Sequence, residues 1–401
     1  MTASPVQRRP ALDAGVSLYL DLARVSAALL VLLHHVFEPP FHAAGIHLPG
    51  RSAVIVFFVI SGFVIAYATD GQTDARRYAV ARAARIYSVA VPALVLTGVL
   101  HAAGLWLWGA EHSTFDRPVL RLLLSLGFVN QLWNLTIAPL ENGPYWSLCY
   151  EVWYYVAFGA FMFLRGRSRW LLLAAVLLVC GPRILLLAPP WVLGVLVYRQ
   201  MQGDRGAAAP SSHRQFCLWS ALFLLALFGY NPADLVSQAV AGSLDDGYWR
   251  VLGLPLFIGG DWRFPSDWLL ALLFAMSLRH AAGVFPRGVT SGGIGRGIRE
   301  ASAYTFSLYL YHAPLLVFMH PALRAQLPPA WLPWVTTGVL VALVVALGHV
   351  TERRKEPWVR LFARLLGARG SRAQGSDLPV SGAPSTDRST RRAIERQAPV
   401  D

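Results

Sequence analysis

The chain has 401 residues, of which 55% are hydrophobic and only 14% are charged. Soluble domains carry roughly a quarter charged residues, so this composition excludes an ordinary water-soluble enzyme. The formal net charge of +13 comes from arginines scattered between apolar blocks. No recognisable nucleic-acid-binding motif accompanies them, which argues against a nucleic-acid partner.

Apolar blocks recur along the chain, and most approach the roughly 20 residues that a spanning helix needs. Backbone N–H and C=O groups in lipid need internal partners, and the blocks lack strand alternation, so they predict helices. The sequence therefore predicts an all-α polytopic membrane protein. The blocks lie near residues 17–37, 52–69, 86–108, 144–164, 170–199, 215–231, 266–280, 303–320 and 332–350.

The first apolar block follows Arg8 and Arg9 and in that respect resembles a signal peptide. Asp21, Arg24 and two histidines interrupt it, and no small-residue cleavage site follows. We therefore interpret this block as a retained first helix.

Arginine clusters between the blocks predict the cytoplasmic loops, because basic residues concentrate on that side of a membrane. The cluster at 165–169 would fall outside if residues 119–137 crossed fully, so we expect 119–137 to be re-entrant or interfacial. Pro189 and Pro190 divide the block 170–199 into two short spans, because proline breaks a helix interior. The count is then about ten transmembrane helices, with both termini in the cytoplasm.

Three further segments lie outside the predicted spans. Residues 231–267 are rich in Gly, Pro and Trp and are expected to form an outer loop, whose LPLFIGG segment is apolar enough to dip into lipid. Residues 1–352 would form the membrane domain, and residues 353–401 a basic, largely disordered cytoplasmic tail. The three cysteines lie within or beside apolar blocks and indicate buried small side chains, not a disulfide framework.

The first helix carries the densest set of ionisable residues, and such residues are costly inside a membrane. Arg24 and His35 are eleven positions apart, which returns them to within roughly 20° of the same helix face. Asp21 lies three residues before Arg24 and is placed to pair with it. His35 is either part of a functional site or an interfacial residue among the headgroups.

Two later helices repeat this signal. Glu151 stands in the aromatic segment NGPYWSLCYEVWYYV, and His312 in YTFSLYLYHAPLL, with Thr305 and Tyr309 near its face. A helix histidine taken singly is more often structural than catalytic, so both alternatives stay open for His312.

Four arginines mark the start of the third span. Arg82 and Arg85 are three positions apart and share a helix side, and Arg76 and Arg77 precede them. A helix N-terminus favours anions and arginine forks suit phosphate, so this is a possible phosphate-binding entrance. The alternative is an orientation anchor on the cytoplasmic side.

Five segments together resemble the acyltransferase 3 family of membrane O-acyltransferases over residues 17–352. They are LDLARVSAALLVLLHH, FFVISGFVIAY, RAARIY, WSLCYEVWYY and SLYLYHAP, in that order. The resemblance implies transfer of an acyl group, commonly acetyl, from cytoplasmic acyl-CoA to a hydroxyl of a carbohydrate, either an envelope polysaccharide or a glycolipid. It also implies a multi-pass protein of a bacterial inner membrane that contacts membrane lipid and needs no metal.

The same resemblance assigns roles to particular residues. It implies that His35 is the catalytic base, assisted by Glu151 and Arg24, with Glu151 orienting the imidazole. Arg82 and Arg85, helped by Arg76 or Arg77, would bind the CoA phosphates. Three aromatic residues would contact substrate, namely Trp146, Tyr309 and His312.

The chain departs from the family pattern at two places. Ser88 replaces the usual proline after Arg-Ile-Tyr, which leaves the local helix start undefined. Glu352 and Glu356 compete for the closing acidic motif. Two other functions stay open: acylation of a small metabolite on the cytoplasmic side, and transport or lipid flipping, since charges inside a bundle also mark permeation paths.

Overall fold

The computed structural model describes residues 12–42, 47–109, 114–203, 213–251 and 254–367. Helices dominate these ranges, and one short antiparallel hairpin joins β1 (Tyr248–Val251) to β2 (Leu254–Phe257). The helices are α1 (Ala14–Phe37), α2 (Gly50–Thr69), α3 (Ala75–Trp108), α4 (Pro118–Leu126), α5 (Trp146–Phe163), α6 (Gly166–Leu186), α7 (Ala188–Gly203), α8 (His213–Phe228), α9 (Asp234–Gly242), α10 (Phe264–Arg279), α11 (Arg287–Ser291), α12 (Gly293–Ser302), α13 (Thr305–Gln326), α14 (Leu332–Val350) and α15 (Glu356–Leu365).

The helical membrane class predicted from composition is confirmed. Within the described ranges, α1, α2, α3, α6 and α14 are long and apolar enough to cross a bilayer. The other predicted spans correspond to shorter or proline-containing helices. The count of ten spans therefore stays a prediction.

Contacts between helix ends define two ends of the bundle. At the end where α1 begins, Asp21 accepts a hydrogen bond from Ser302 Oγ at the end of α12. We call this the Asp21 end. At the other, the His35 end, Phe37 packs on Trp334 at the start of α14 with ring centroids 5.0 Å apart. α1, α13 and α14 pack side by side, so helices that are far apart in sequence share one core.

The closest helix contact joins α2 to α7 through two glycines. A Cβ on Gly62 would lie 1.9 Å from the Trp191 carbonyl oxygen, and a Cβ on Gly194 would lie 2.0 Å from the Val59 carbonyl oxygen. Small residues let helix backbones approach closely where lipid provides no hydrophobic driving force. This contact fixes α2, which carries Ser61 of the site described below.

Residues 119–137 turn back along α3, and their re-entrant or interfacial position stays a prediction. The Leu126 carbonyl at the end of α4 accepts a hydrogen bond from Tyr87, deep along α3. The chain then returns, and Glu141 pairs with His101 at 2.8 Å, fourteen residues further along α3. Irregular backbone is tolerated inside a membrane protein where protein groups satisfy it. Both side chains of this pair are buried.

The predicted division of block 170–199 is confirmed. α6 ends at Leu186, and Pro189 and Pro190 occupy the first turn of α7, where proline costs no hydrogen bond. α6 also bends at Gly181, whose φ of 76° leaves the helical region. A side chain at Gly181 would collide with Trp133, so the bend and the segment 119–137 fit together.

An ionic cluster closes the His35 end. Asp261 accepts hydrogen bonds from Arg51 at 2.9 Å, Tyr150 at 2.7 Å and Arg183 at 3.0 Å, and Arg51 also reaches Asp267. It ties the loop after α9 to α2, α5 and α6. The first four residues of LPLFIGG form β2 and pair with β1, and the dip of this segment into lipid stays a prediction.

The start of α3 and the segment after α14 lie together at the Asp21 end. α3 has 34 residues, so it is about 51 Å long and exceeds the roughly 30 Å hydrocarbon core. α15 packs along its first turns, and Phe362 meets the Tyr87 ring at 5.3 Å. The predicted tail thus contains one helix, and residues 368–401 lie outside the described residues.

Candidate active site

Arg82 and Arg85 lie two to three turns inside α3. The helix begins at Ala75, and the Asp74 carboxylate caps it by accepting from the backbone N–H groups of Arg76 and Arg77. The prediction that these arginines stand at a free helix N-terminus is therefore wrong. They project from the side of α3 into the bundle, while Arg76 and Arg77 stay exposed to solvent.

The buried arginines carry charge that their neighbours do not neutralise directly. Arg82 is 7% exposed, and its Nε has no hydrogen-bond partner in the part of the chain that the structure describes. Its guanidinium lies over the Tyr155 ring, 5.8 Å from the centroid. Arg85 likewise forms no ion pair with any described residue. Arg85 is only partly buried and feels the charges of Glu151 and Glu352, so the unsatisfied cation is Arg82. A buried cation without a partner is costly, so Arg82 favours an anionic ligand.

Arg24 faces the same space from α1. Its Nη1 lies 3.4 Å from Asp21 Oδ1, as the three-residue spacing predicts. A small cavity of about 30 Å³ joins these groups, and we call it the arginine cavity. Its polar walls are Asp21, Arg24, Tyr67, Arg82 and Arg85.

A second cavity of about 70 Å³ adjoins the first, and we call it the glutamate cavity. Glu151 Oε1 accepts a hydrogen bond from Ser61 Oγ at 2.6 Å and another from the Tyr155 hydroxyl. Trp191 Nε1 donates to the same Ser61 oxygen at 3.2 Å. The cavity is lined by Arg24, Ser61, Arg85, Ser147, Glu151, Thr305 and Tyr309, together with apolar groups.

The structure separates the two candidates for the closing acidic motif. Glu352 Oε2 accepts from the Ser307 backbone N–H at 2.9 Å and from its hydroxyl at 2.8 Å. Burial raises the pKa of the Glu352 carboxyl to about 7, although the Ser307 hydrogen bonds and the Arg85 charge lower it. Glu356, in contrast, is exposed in the first turn of α15. Glu352 is thus the acid that is bonded to α13 and lies near Arg85.

His35 meets His312 toward the His35 end. The Nε2 atom of His312 lies 3.4 Å from Nδ1 of His35, and the ring centroids are 5.0 Å apart. Each Nδ1 also lies 2.8 Å from the carbonyl oxygen four residues earlier, Val31 O for His35 and Leu308 O for His312. His312 is fully buried and His35 half-buried.

The predicted contact between Glu151 and His35 is not formed. The hydrogen bonds of Glu151 go to Ser61 and Tyr155, and those of His35 go to Val31 and His312. Arg24 and His35 do face the same neighbour, α13, but about 16 Å of helix separates them. The arginines and the histidines therefore form two clusters at different depths.

Tyr309 lies between these clusters. It lines the glutamate cavity, and its hydroxyl bonds Ser147 Oγ at 2.7 Å. Its ring centroid is 6.4 Å from that of His312. Trp146 is further away and packs on Tyr150, with Arg51 at 5.9 Å from its ring. Tyr309 is thus beside the histidines, whereas Trp146 belongs to the layer beneath the ionic cluster.

An apolar groove of about 400 Å³ runs between α3 and α5 on the other side of Arg82 and Tyr155. Most of its lining is aliphatic or aromatic. The small side chains of Ala79 and Ala83, and the absence of one at Gly159, make room for the groove. Arg82 and Tyr155 thus separate this groove from the polar cavities.

Sequence reasoning missed the partners of Glu151. Ser61 stands in FFVISGFVIAY, and a hydroxyl in a strongly apolar helix is itself a signal for an interhelical hydrogen bond. Tyr155 follows Glu151 by four residues and so shares its helix face. In the described ranges, no group of three or more His, Cys, Asp or Glu side chains is arranged to hold a metal ion.

The residues of both clusters lie within the part of the chain that matches a known domain family. The acyltransferase domain family, acyltransferase 3, matches residues 17–352. The chain belongs to the acyltransferase 3 family. This match includes α1 through α14 and ends at Glu352, so both clusters lie inside the acyltransferase domain.

One curated relative is an O-acetyl transferase of Shigella phage Sf6. It is 30% identical over 148 residues, which are 35% of this chain and 44% of the relative. The chain thus matches less than half the length of that relative. No solved structure matches this acyltransferase 3 chain significantly.

Proposed function

We propose that the protein is a membrane O-acyltransferase that moves an acetyl group from acetyl-CoA to a hydroxyl of an envelope polysaccharide or glycolipid. The observation that carries this proposal is the buried Arg82, whose Nε has no hydrogen-bond partner among the described residues, beside Arg85 and in one bundle with a histidine whose Nε2 is open. The first feature suits the phosphates of CoA and the second suits a hydroxyl proton.

The donor spans the two clusters in this proposal. Its phosphates contact Arg82, Arg85 and Arg24, and the exposed Arg76 and Arg77 attract it from the cytoplasm. An extended pantetheine arm then bridges the roughly 16 Å of helix between Arg24 and His35. The glutamate cavity of about 70 Å³ holds only a few water-sized groups, which favours a short acyl chain.

His35 acts as the general base. Its Nδ1 faces a carbonyl oxygen, which only accepts, so this nitrogen carries the proton and Nε2 holds the lone pair. Nε2 removes the acceptor's hydroxyl proton while the hydroxyl oxygen attacks the thioester carbonyl carbon. The C–S bond breaks, and His35 returns the proton to the departing CoA sulfur.

Glu151 has a different role from the one that the family resemblance implies. With Ser61 and Tyr155 it offsets the positive charge of Arg24 and Arg85 across the glutamate cavity. An acid there lowers the electrostatic cost of placing Arg24 and Arg85 close together. The outer position of His35 in the predicted topology favours an acceptor outside the cytoplasm.

The test uses purified protein in lipid nanodiscs with acetyl-CoA and envelope glycans. We expect release of free CoA together with a mass increase of one acetyl ester on the glycan, and loss of both in His35→Ala. Glycans from a deletion strain should lack the ester that complemented cells carry. Transport of glycan without CoA release would contradict the proposal, and so would full turnover by normally accumulated His35→Ala.

A further inference from the structure

The contact between His35 and His312 assigns a direction to their hydrogen bond. His312 Nδ1 lies 2.8 Å from the Leu308 carbonyl oxygen, so it carries the proton. Neutral imidazole has one donor and one acceptor, and Nε2 of His312 is therefore an acceptor. The atom 3.4 Å away is the protonated Nδ1 of His35. The N–H of His35 is thus shared between Val31 O and His312 Nε2.

We propose that His312 is the positioning residue for His35, an inference that rests on the proposed acyl transfer. It holds the His35 ring with Nδ1 protonated and Nε2 directed away, toward the acceptor hydroxyl. When Nε2 takes the hydroxyl proton, the positive charge on His35 is shared with His312 through Nδ1–H. His312 itself gains and loses no proton.

This assignment gives His312 the part that a carboxylate takes in other acyl-transfer sites. Of the acids near α1, Glu38 lies 2.9 Å from His34 and accepts from the Leu48 backbone, and Glu151 is held by Ser61. A neutral imidazole suits a fully buried position better than an unpaired carboxylate, because burying a lone charge is far more costly than burying a hydrogen-bonded neutral group.

The backbone fixes both rings. Each histidine bonds the carbonyl of the preceding turn of its own helix, and α1 packs along α13. Rotation of either ring would therefore break a 2.8 Å hydrogen bond. The pair is preorganised before any substrate binds, which is the condition for efficient proton transfer.

The experiment compares three variants in the nanodisc assay. His312→Leu removes the acceptor, His312→Gln keeps a side-chain acceptor, and His320→Leu is the matched control. His320 is also buried on α13 but bonds only the Phe41 carbonyl at 3.0 Å. We expect kcat to fall about 100-fold in His312→Leu and about tenfold in His312→Gln, within the range for general-base catalysis. KM for both substrates should stay within about threefold, as expected when only the transition state loses an interaction.

Thermal unfolding of each variant separates positioning from folding. The proposal is overturned if His312→Leu keeps wild-type kcat, or if His312→Gln loses as much kcat as His312→Leu at equal thermal stability. Should His312→Leu not accumulate, His312→Met takes its place. If His35→Ala is inactive and His312→Leu is fully active, only the positioning role of His312 is refuted. If His35→Ala is active, His35 is not the general base.

Discussion

Arg82 is a buried cation whose Nε has no hydrogen-bond partner among the described residues. We expect Arg82→Ala to raise KM for acetyl-CoA about 10- to 100-fold, because a hydrogen bond to a charged group contributes about 1.5–3 kcal/mol. KM for the glycan should change little. The control is Arg167→Ala, which removes an exposed guanidinium that has no part in the proposed donor site and should change KM less than threefold. Steady-state kinetics with each substrate varied checks this, and an equal rise in both KM values would make Arg82 a structural residue.

Glu352 predicts how stability depends on pH. Its folded pKa of about 7 exceeds the ordinary value of 4.5, so the folded state binds more protons between these values. The contribution of this carboxyl is complete below about pH 4.5 and is lost as pH rises through about 7. Glu352→Gln, which is neutral throughout, should flatten the fall in Tm between pH 5 and 8.

Differential scanning fluorimetry in detergent measures this effect. The control is Glu356→Gln, which alters an exposed carboxyl one turn later and should retain the wild-type slope of Tm against pH. Identical slopes for wild type and Glu352→Gln would show that another group governs the dependence.

Sequence reasoning succeeded for single residues where helix period alone decides the geometry. It placed Arg24 and His35 on one face of α1 and paired Asp21 with Arg24, and both relations hold. It failed where two or three helices must be oriented together, as for the Glu151–His35 contact. The start of α3 was also missed, although Asp74 is a strong N-cap residue ahead of the basic turn.

At the scale of elements, the α2–α7 contact should tolerate no side chain. Gly62→Ala places its Cβ where the Trp191 carbonyl oxygen stands, so the helices must separate, at a cost of about 1–3 kcal/mol. We expect a lower Tm and less folded protein. Gly338→Ala in α14 is the control, because nothing lies within 4 Å of its Cβ. Size-exclusion yield and Tm of both variants decide the matter, and equal values would show that α7 shifts freely.

The elements differ in how far sequence could define them. Proline position sufficed to divide 170–199 into two helices, since proline breaks a helix interior. The β1–β2 hairpin was not predicted, because its short apolar strand resembles a lipid-dipping segment. Its position depends on the ionic cluster around Asp261, which joins residues far apart in sequence.

For the whole molecule, the predicted topology places the Asp21 end in the cytoplasm and the His35 end outside. In a Cys217→Ser background, Ser243→Cys near the His35 end should react with a membrane-impermeant maleimide in intact spheroplasts. Arg287→Cys near the Asp21 end should react only after the membrane is opened. Both positions are exposed. Labelling of both in intact spheroplasts, or of neither, would contradict the prediction that the two ends of the bundle lie on opposite sides of the membrane.

The class of the whole molecule followed from composition, because 14% charged residues cannot cover a soluble protein of this length. The number of transmembrane crossings could not be derived from composition as firmly. Helices such as α7, α8 and α10 are too short to be identified by length, and they enter the bundle by packing on α2 and on one another. Only the three-dimensional arrangement shows that these short helices belong to the bundle.

The pairing of α1 with α13 bears on how the protein is made. His35 is translated early, whereas His312 and Glu352 are translated only when most of the chain has been made. Until then, His35 in the first helix lacks its contact with His312, although Arg24 already has Asp21 beside it. The proposed acyl-transfer site is therefore complete only after the last helices have been inserted.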